Sequence, residues 1–131
     1  MSEENVEIVR EVFSAFEEGN FWVPERFDPN IRIVWLDALR FETETVGLQA
    51  LSDVLREALP SIDEVKLTAD RIVDAGDQVV VSATWHGRGK TSGAPTEWHF
   101  AEVITLRDGR ITSMVSYREM RDALEAVGLS E

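Results

Sequence analysis

Apolar residues near the start of the chain recur at helical spacing. Val6, Val9, Phe13 and Phe16 fall on one face, and Ile8 and Val12 widen the stripe. Ser2 followed by Glu3 and Glu4 suits a helix N-terminus, where capping oxygens and negative charge meet free N–H groups. Gly19-Asn20 supplies the stop. A short helical turn is predicted around Pro24 to Phe27, broken by Asp28-Pro29-Asn30. Ile31 to Asp37 then alternates as a strand, with Ile31, Ile33, Trp35 and Asp37 on one face. Ala38 to Thr45 shows no clear period and reads as a loop. From Leu48 a second helical stripe runs through Leu51, Val54, Leu55, Ala58 and Leu59 until Pro60 ends it.

The second half changes period from helical to alternating. Strands are predicted over Val65–Val73, Gln78–His86, Trp98–Arg107 and Arg110–Tyr117. The first pair is joined by Ala75-Gly76-Asp77. The second pair is separated by a Gly- and Pro-containing loop from Gly87 to Pro95, and the last by Asp108-Gly109, a strong two-residue hairpin signal. A short helix from Arg118 to Val127 closes the chain at Gly128. Helices first and antiparallel strands afterwards define an α+β fold, a curved antiparallel sheet wrapped around an N-terminal helical layer into a cone. With no internal repeat or linker, residues 1–131 are expected to form one domain.

One residue interrupts this pattern. Period two places Glu102 on the face of Trp98, Phe100, Ile104 and Leu106. A carboxylate among such neighbours loses hydration, and burial raises its pKa, so it needs either a hydrogen-bond partner or a chemical use. Asp37 shares the inner face of its own strand. Two carboxylates in different environments can divide into one ionised base and one neutral acid. Trp35, Trp85 and Trp98 project from inner strand faces, as aromatic walls suited to a flat apolar ligand. Phe16, Val81, Phe100 and Met114 are the further candidates for substrate contact, and Tyr117, at the end of the last strand, for a hydrogen-bond donor.

Composition narrows the choices. Apolar residues make up 44% of the 131, with four Trp and six Phe, enough for a folded core. A net charge of −12 disfavours nucleic acid and anionic membrane surfaces as partners. The chain has no cysteine, which removes thiol chemistry and Cys-type zinc sites. His86 and His99 fall on the face opposite Glu102 and lack a third ligand, so they read as a polar cross-strand pair and no metal site is expected. No apolar run approaches membrane length and no secretory signal is visible, giving an expectation of a cytoplasmic protein.

The order of elements and several local signatures resemble the SnoaL-like and ketosteroid-isomerase-like branch of the nuclear transport factor 2-like superfamily. The residues that carry the likeness are Val9 to Phe16 followed by Gly19-Asn20, Phe27-Asp28-Pro29-Asn30 before the first strand, and Gly47 opening the second helix. Ala75-Gly76-Asp77 and Leu106-Arg107-Asp108-Gly109-Arg110-Ile111 complete it. The resemblance implies a cystatin-like α+β barrel with homodimers formed through the outer sheet face. It also implies roles: Glu102 at the buried acid that holds an oxyanion, and Asp37 near the proton-shuttling base. Val12 stands where the isomerase pattern has a Tyr, so the tyrosine half of the oxyanion site is missing.

The expected function is cofactor-independent general acid–base catalysis of isomerase, cyclase or dehydratase type on an apolar carbonyl-bearing or cyclic substrate. The alternative is a non-catalytic binder of an apolar metabolite in the same pocket. A homodimer is expected through Val80, Ser82, Thr84 and His86 opposite His99, Ala101, Val103 and Thr105, a flat face of small and β-branched residues.

Overall fold

The computed structural model describes residues 2–36, 42–58 and 62–130. Helix α1 (Ser2–Glu17) leads through a 3-10 turn (Pro24–Arg26) into β1 (Phe27–Leu36) and β2 (Glu42–Val46). Helix α2 (Leu48–Ala58) follows, then β3 (Ile62–Ala75), β4 (Gln78–Gly89), β5 (Pro95–Arg107), β6 (Arg110–Tyr117) and α3 (Met120–Ala126). The strands form one six-stranded sheet in the order β2-β1-β6-β5-β4-β3. This is the expected α+β fold, a curved sheet with the N-terminal helix on its concave side, but β2 and β3 remain as free edges and the sheet does not close.

The structure differs from the sequence reading at several points. The stretch predicted as a loop before Thr45 contains β2, antiparallel to β1. Strand β1 starts at Phe27 and runs through Pro29, which is tolerated because its register against β6 shifts between Phe27 and Arg32. That β1–β6 pairing is parallel, whereas every other pairing is antiparallel. No hairpin constrains strands from opposite ends of the chain. The long hairpin loop is also shorter than expected, since β4 extends to Gly89 and β5 begins at Pro95.

Helix α1 packs on β3 and β4, and α2 on β1 and β2. Their stripes meet the inner strand faces in one core that includes Val9, Phe13, Leu51, Val79, Ile104 and Ile111. A two-headed contact steadies the entry to β1. The Arg26 guanidinium donates to both Glu11 carboxylate oxygens (2.6 and 3.1 Å) and to the Gly109 carbonyl (3.3 Å). The guanidinium holds the Glu11 carboxyl below its ordinary pKa.

The end of α1 is fixed by a Schellman-type closure, with Gly19 N–H bonded to Phe16 O and Asn20 N–H to Ala15 O. Gly19 adopts φ +86°, and a Cβ there would lie 3.0 Å from the Val65 carbonyl oxygen. Gly19→Ala is therefore expected to lower unfolding free energy by about 1–2 kcal/mol in a urea titration. Unchanged stability would mean that α1 ends differently.

On the opposite face of the sheet, α3 covers a second cluster of Val80, Ala101, Val103, Ala123 and Leu124, flanked by Val73, Tyr117 and Met120. This alters the expected dimer surface. Its apolar members Val80, Ala101 and Val103 are 0%, 0% and 4% exposed within the chain itself. What remains open on that face is polar, around His86, Glu97 and His99.

Candidate active site

The site is built on the inner surface of β5 and β6. Strand pairing brings Val81, Glu102 and Ser116 side by side on β4, β5 and β6. Trp35 on β1 continues the row, one residue beyond the Val34–Val115 pair. The next row holds Val79, Ile104 and Met114, and Ala83 and Phe100 pair in the row on the other side. Helix α1 lies over β3–β4 and α2 over β1–β2; the inner β5–β6 surface, the floor of the site, has Glu102, Ile104 and Met114 buried.

Glu102 is 5% exposed, and its Oε1 is buried without a hydrogen-bond partner. Loss of hydration raises its pKa from 4.5 to about 7. The group is poised to be a neutral acid or an ionised base near neutrality. An unpartnered buried polar atom costs about 1–3 kcal/mol, so it is a liability in a purely structural setting.

The aromatic candidates separate into two groups. Trp35 is half-buried and donates its indole N–H to Thr45 Oγ1 at 2.9 Å, which fixes its ring at one side of the floor. Phe100, half-buried, stands beside Trp98, with ring centroids 5.7 Å apart. Trp85 instead joins an aromatic chain toward the end of α1, 5.9 Å from Phe21, which stacks on Phe16 at 5.3 Å. Phe16, Val81 and Met114 are buried members of the core. The fourth tryptophan, Trp22, is exposed.

Two of the three proposed catalytic residues require comment. Tyr117 does not share the face of Glu102: it pairs with Ala101 and packs in the α3 cluster. The cause is a bulge. The pairs Arg107–Arg110 and Leu106–Ile111 follow the tight turn, but Thr105 pairs with Ser113, leaving Thr112 as an extra residue. One inserted residue exchanges the faces of every side chain beyond it. Tyr117 is thereby moved to the outer face and Ser116 to the inner one. Asp37 lies outside the described residues.

The histidines meet on the outer face, as the strand pattern predicts, with Glu97 between them. Glu97 carboxylate oxygens lie 3.7 Å from His86 Nδ1 and 3.3 Å from His99 Nε2. Buried Thr84 donates its hydroxyl to Asp70 at 2.5 Å, so its lone pair receives His99 Nδ1–H at 2.8 Å. The His99 and Glu97 side chains are 71% and 60% exposed, which limits this network to a surface role. Among the described residues no group of three or more His, Asp or Glu is arranged to hold a metal ion. An open groove of about 690 Å³ near this network, lined in part by Glu17, Lys66, His86 and Arg88, shares no residue with the Glu102 row. Among the described residues no helix is long and apolar enough to cross a membrane.

This α+β arrangement, with Glu102 buried on the inner face of its sheet, is shared as a fold by known proteins. Residues 9–114 match the model of the SnoaL-like domain, and the chain belongs to that family. The structure is similar to an NTF2-like protein of unknown function from Burkholderia pseudomallei, at 19% identity over 95% of this chain and 98% of that one, with a TM-score of 0.74. It is also similar to a putative SnoaL-like polyketide cyclase from a Jannaschia species (18% identity, 99% and 95% coverage, TM-score 0.73). A third similar structure is a ketosteroid isomerase-like protein from Catenulispora acidiphila in complex with trimethylamine (22% identity, 94% and 93% coverage, TM-score 0.71). At these identities the likeness establishes the fold. No protein of curated function matches the chain.

Proposed function

We propose that this chain is a small-molecule enzyme of isomerase, cyclase or dehydratase type, acting by general acid–base catalysis on an apolar carbonyl-bearing or cyclic substrate. The observation that carries this reading is Glu102, a buried carboxyl with an unpartnered oxygen on a mostly apolar floor. As a neutral acid it would donate to an oxygen on which negative charge develops, where a water-poor setting strengthens the bond. Asp37 is the proposed base, on the strength of the sequence pattern, which reads it as the last inner-face position of the first strand, and of the family resemblance. The reaction needs only side-chain acid and base groups. Trp35 and Phe100 would flank the substrate.

The experiment is a turnover screen of cyclic ketones, enones and epoxides, followed by Glu102→Gln and Asp37→Asn on any substrate found. Loss of the acid is expected to cost about 10²–10⁴-fold in kcat/KM. The wild-type rate should decline above pH about 7 as Glu102 loses its proton. Two variants with unchanged turnover would remove the mechanism.

One observation favours a second reading, a non-catalytic binder of an apolar metabolite. Val12 is fully buried at the position of the isomerase tyrosine, and Tyr117 faces the other side of the sheet, so no tyrosine stands beside Glu102. Tight binding of one screened ligand without turnover would select it.

A further inference from the structure

Glu102 has a polar neighbour on the floor. Ser116 is its direct partner across β5 and β6, and directly opposed residues of an antiparallel pair hold their Cβ atoms about 4.5–5.5 Å apart. Ser116 is half-buried, and its hydroxyl does not satisfy Glu102 Oε1, which has no partner. The rest of the row offers no competing donor. Val81 closes one side, fully buried. Trp35 stands on the other, and its N–H is already given to Thr45, leaving only the ring for a ligand.

We propose that Ser116 is a specificity-determining residue of this site, its hydroxyl and the Glu102 carboxyl together holding a single carbonyl oxygen of an apolar ring-bearing ketone or enone. A carbonyl oxygen has two lone pairs, one for each donor, while the carbon skeleton lies against Trp35 and Phe100. Among the described residues of the row no cation stands ready for a carboxylate or phosphate, which favours an uncharged ligand. The inference rests on the reading of Glu102 as the polar anchor of a ligand site, and it adds the second contact that decides between a carbonyl and its hydrocarbon isostere.

The test uses the full chain at pH 6, where Glu102 is largely protonated, and two probes of equal shape, 2-acetonaphthone and 2-isopropenylnaphthalene. Dissociation constants are read from tryptophan fluorescence. The wild type is expected to prefer the ketone by about tenfold or more. Ser116→Ala should weaken the ketone by about 5- to 10-fold and leave the hydrocarbon unchanged. Ser116→Thr, which restores a hydroxyl, should recover the preference. If Glu102→Leu abolishes the preference and Ser116→Ala retains it, the role of Ser116 is overturned and the site reading stands. If the wild type binds both probes equally, or neither, both fail. Equal loss of both probes in Ser116→Ala, with a lowered melting temperature, would show a merely structural serine and overturn the proposal.

Discussion

Glu102→Gln is expected to stabilise the protein by about 3 kcal/mol at pH 8 and by almost nothing at pH 4. The sign follows from the direction of the shift. Burial raises the carboxyl pKa from 4.5 in the exposed chain to about 7 in the folded one. Between these values the folded protein keeps a proton that the unfolded chain releases. Stability therefore falls as pH rises through this window. Below 4.5 both states are protonated and the penalty vanishes; above 7 it is fully present. Glutamine has nearly the same shape and never ionises, so the variant lacks this slope. Many other carboxylates titrate in the same range, since the chain has 25 Asp and Glu. The informative quantity is thus the difference between variant and wild-type urea midpoints from pH 4 to 8. Parallel profiles would mean that Glu102 is ionised and partnered in the folded state, which would also undo its role as an acid. Stability gained with activity lost is the exchange expected where a site keeps an unsatisfied group for chemistry.

That carboxyl was legible in the sequence because its strand alternates strictly, and Phe100 and Ile104 on either side set its face. Helices α1 and α2 were legible for the same reason at the other period, and the Asp108-Gly109 turn by its chemistry, with both residues at positive φ. Strand β2 was not, because Glu42-Thr43-Glu44-Thr45 has no apolar face to register. As an edge strand it buries Thr45, whose hydroxyl accepts the Trp35 indole N–H in place of an apolar contact. Strand pairing between distant segments leaves no local mark, so the parallel contact of β1 with β6 was equally hidden.

The bulge at Thr112 accounts for the one misplaced site residue. Counting outward from the turn without it puts Tyr117 opposite Phe100, on the floor. With it Tyr117 stands opposite Ala101 and Ser116 opposite Glu102. Nothing in Ile111-Thr112-Ser113 announces an extra residue, since each is an ordinary strand former. The residue beside Glu102 is thus the serine, an aliphatic hydroxyl, and the phenol lies on the other face.

Val103→Lys is expected to destabilise the folded chain by about 3 kcal/mol or more, whatever the protein concentration. Read from sequence alone, Val103 lay on the expected dimer face, with coverage by the C-terminal helix as the alternative; on a dimer face a lysine would break the dimer and spare the subunit. In the structure it is 4% exposed and lies beneath α3, with Leu124 in the same cluster. An ammonium placed there must either lose its hydration or push the helix away. Lysine can extend its head toward solvent, which keeps the cost below that of a fully trapped charge. Leu124→Ala removes the other side of the contact and should cost about 2–5 kcal/mol by itself. Once Val103→Lys has displaced α3, the second substitution should add little, so the double variant is expected to fall well short of the sum. Urea titrations of the four proteins measure this coupling, and sedimentation of the same samples reads self-association separately. A Val103→Lys protein of wild-type stability would show that α3 does not cover the face, and would return that surface to the role of an interface.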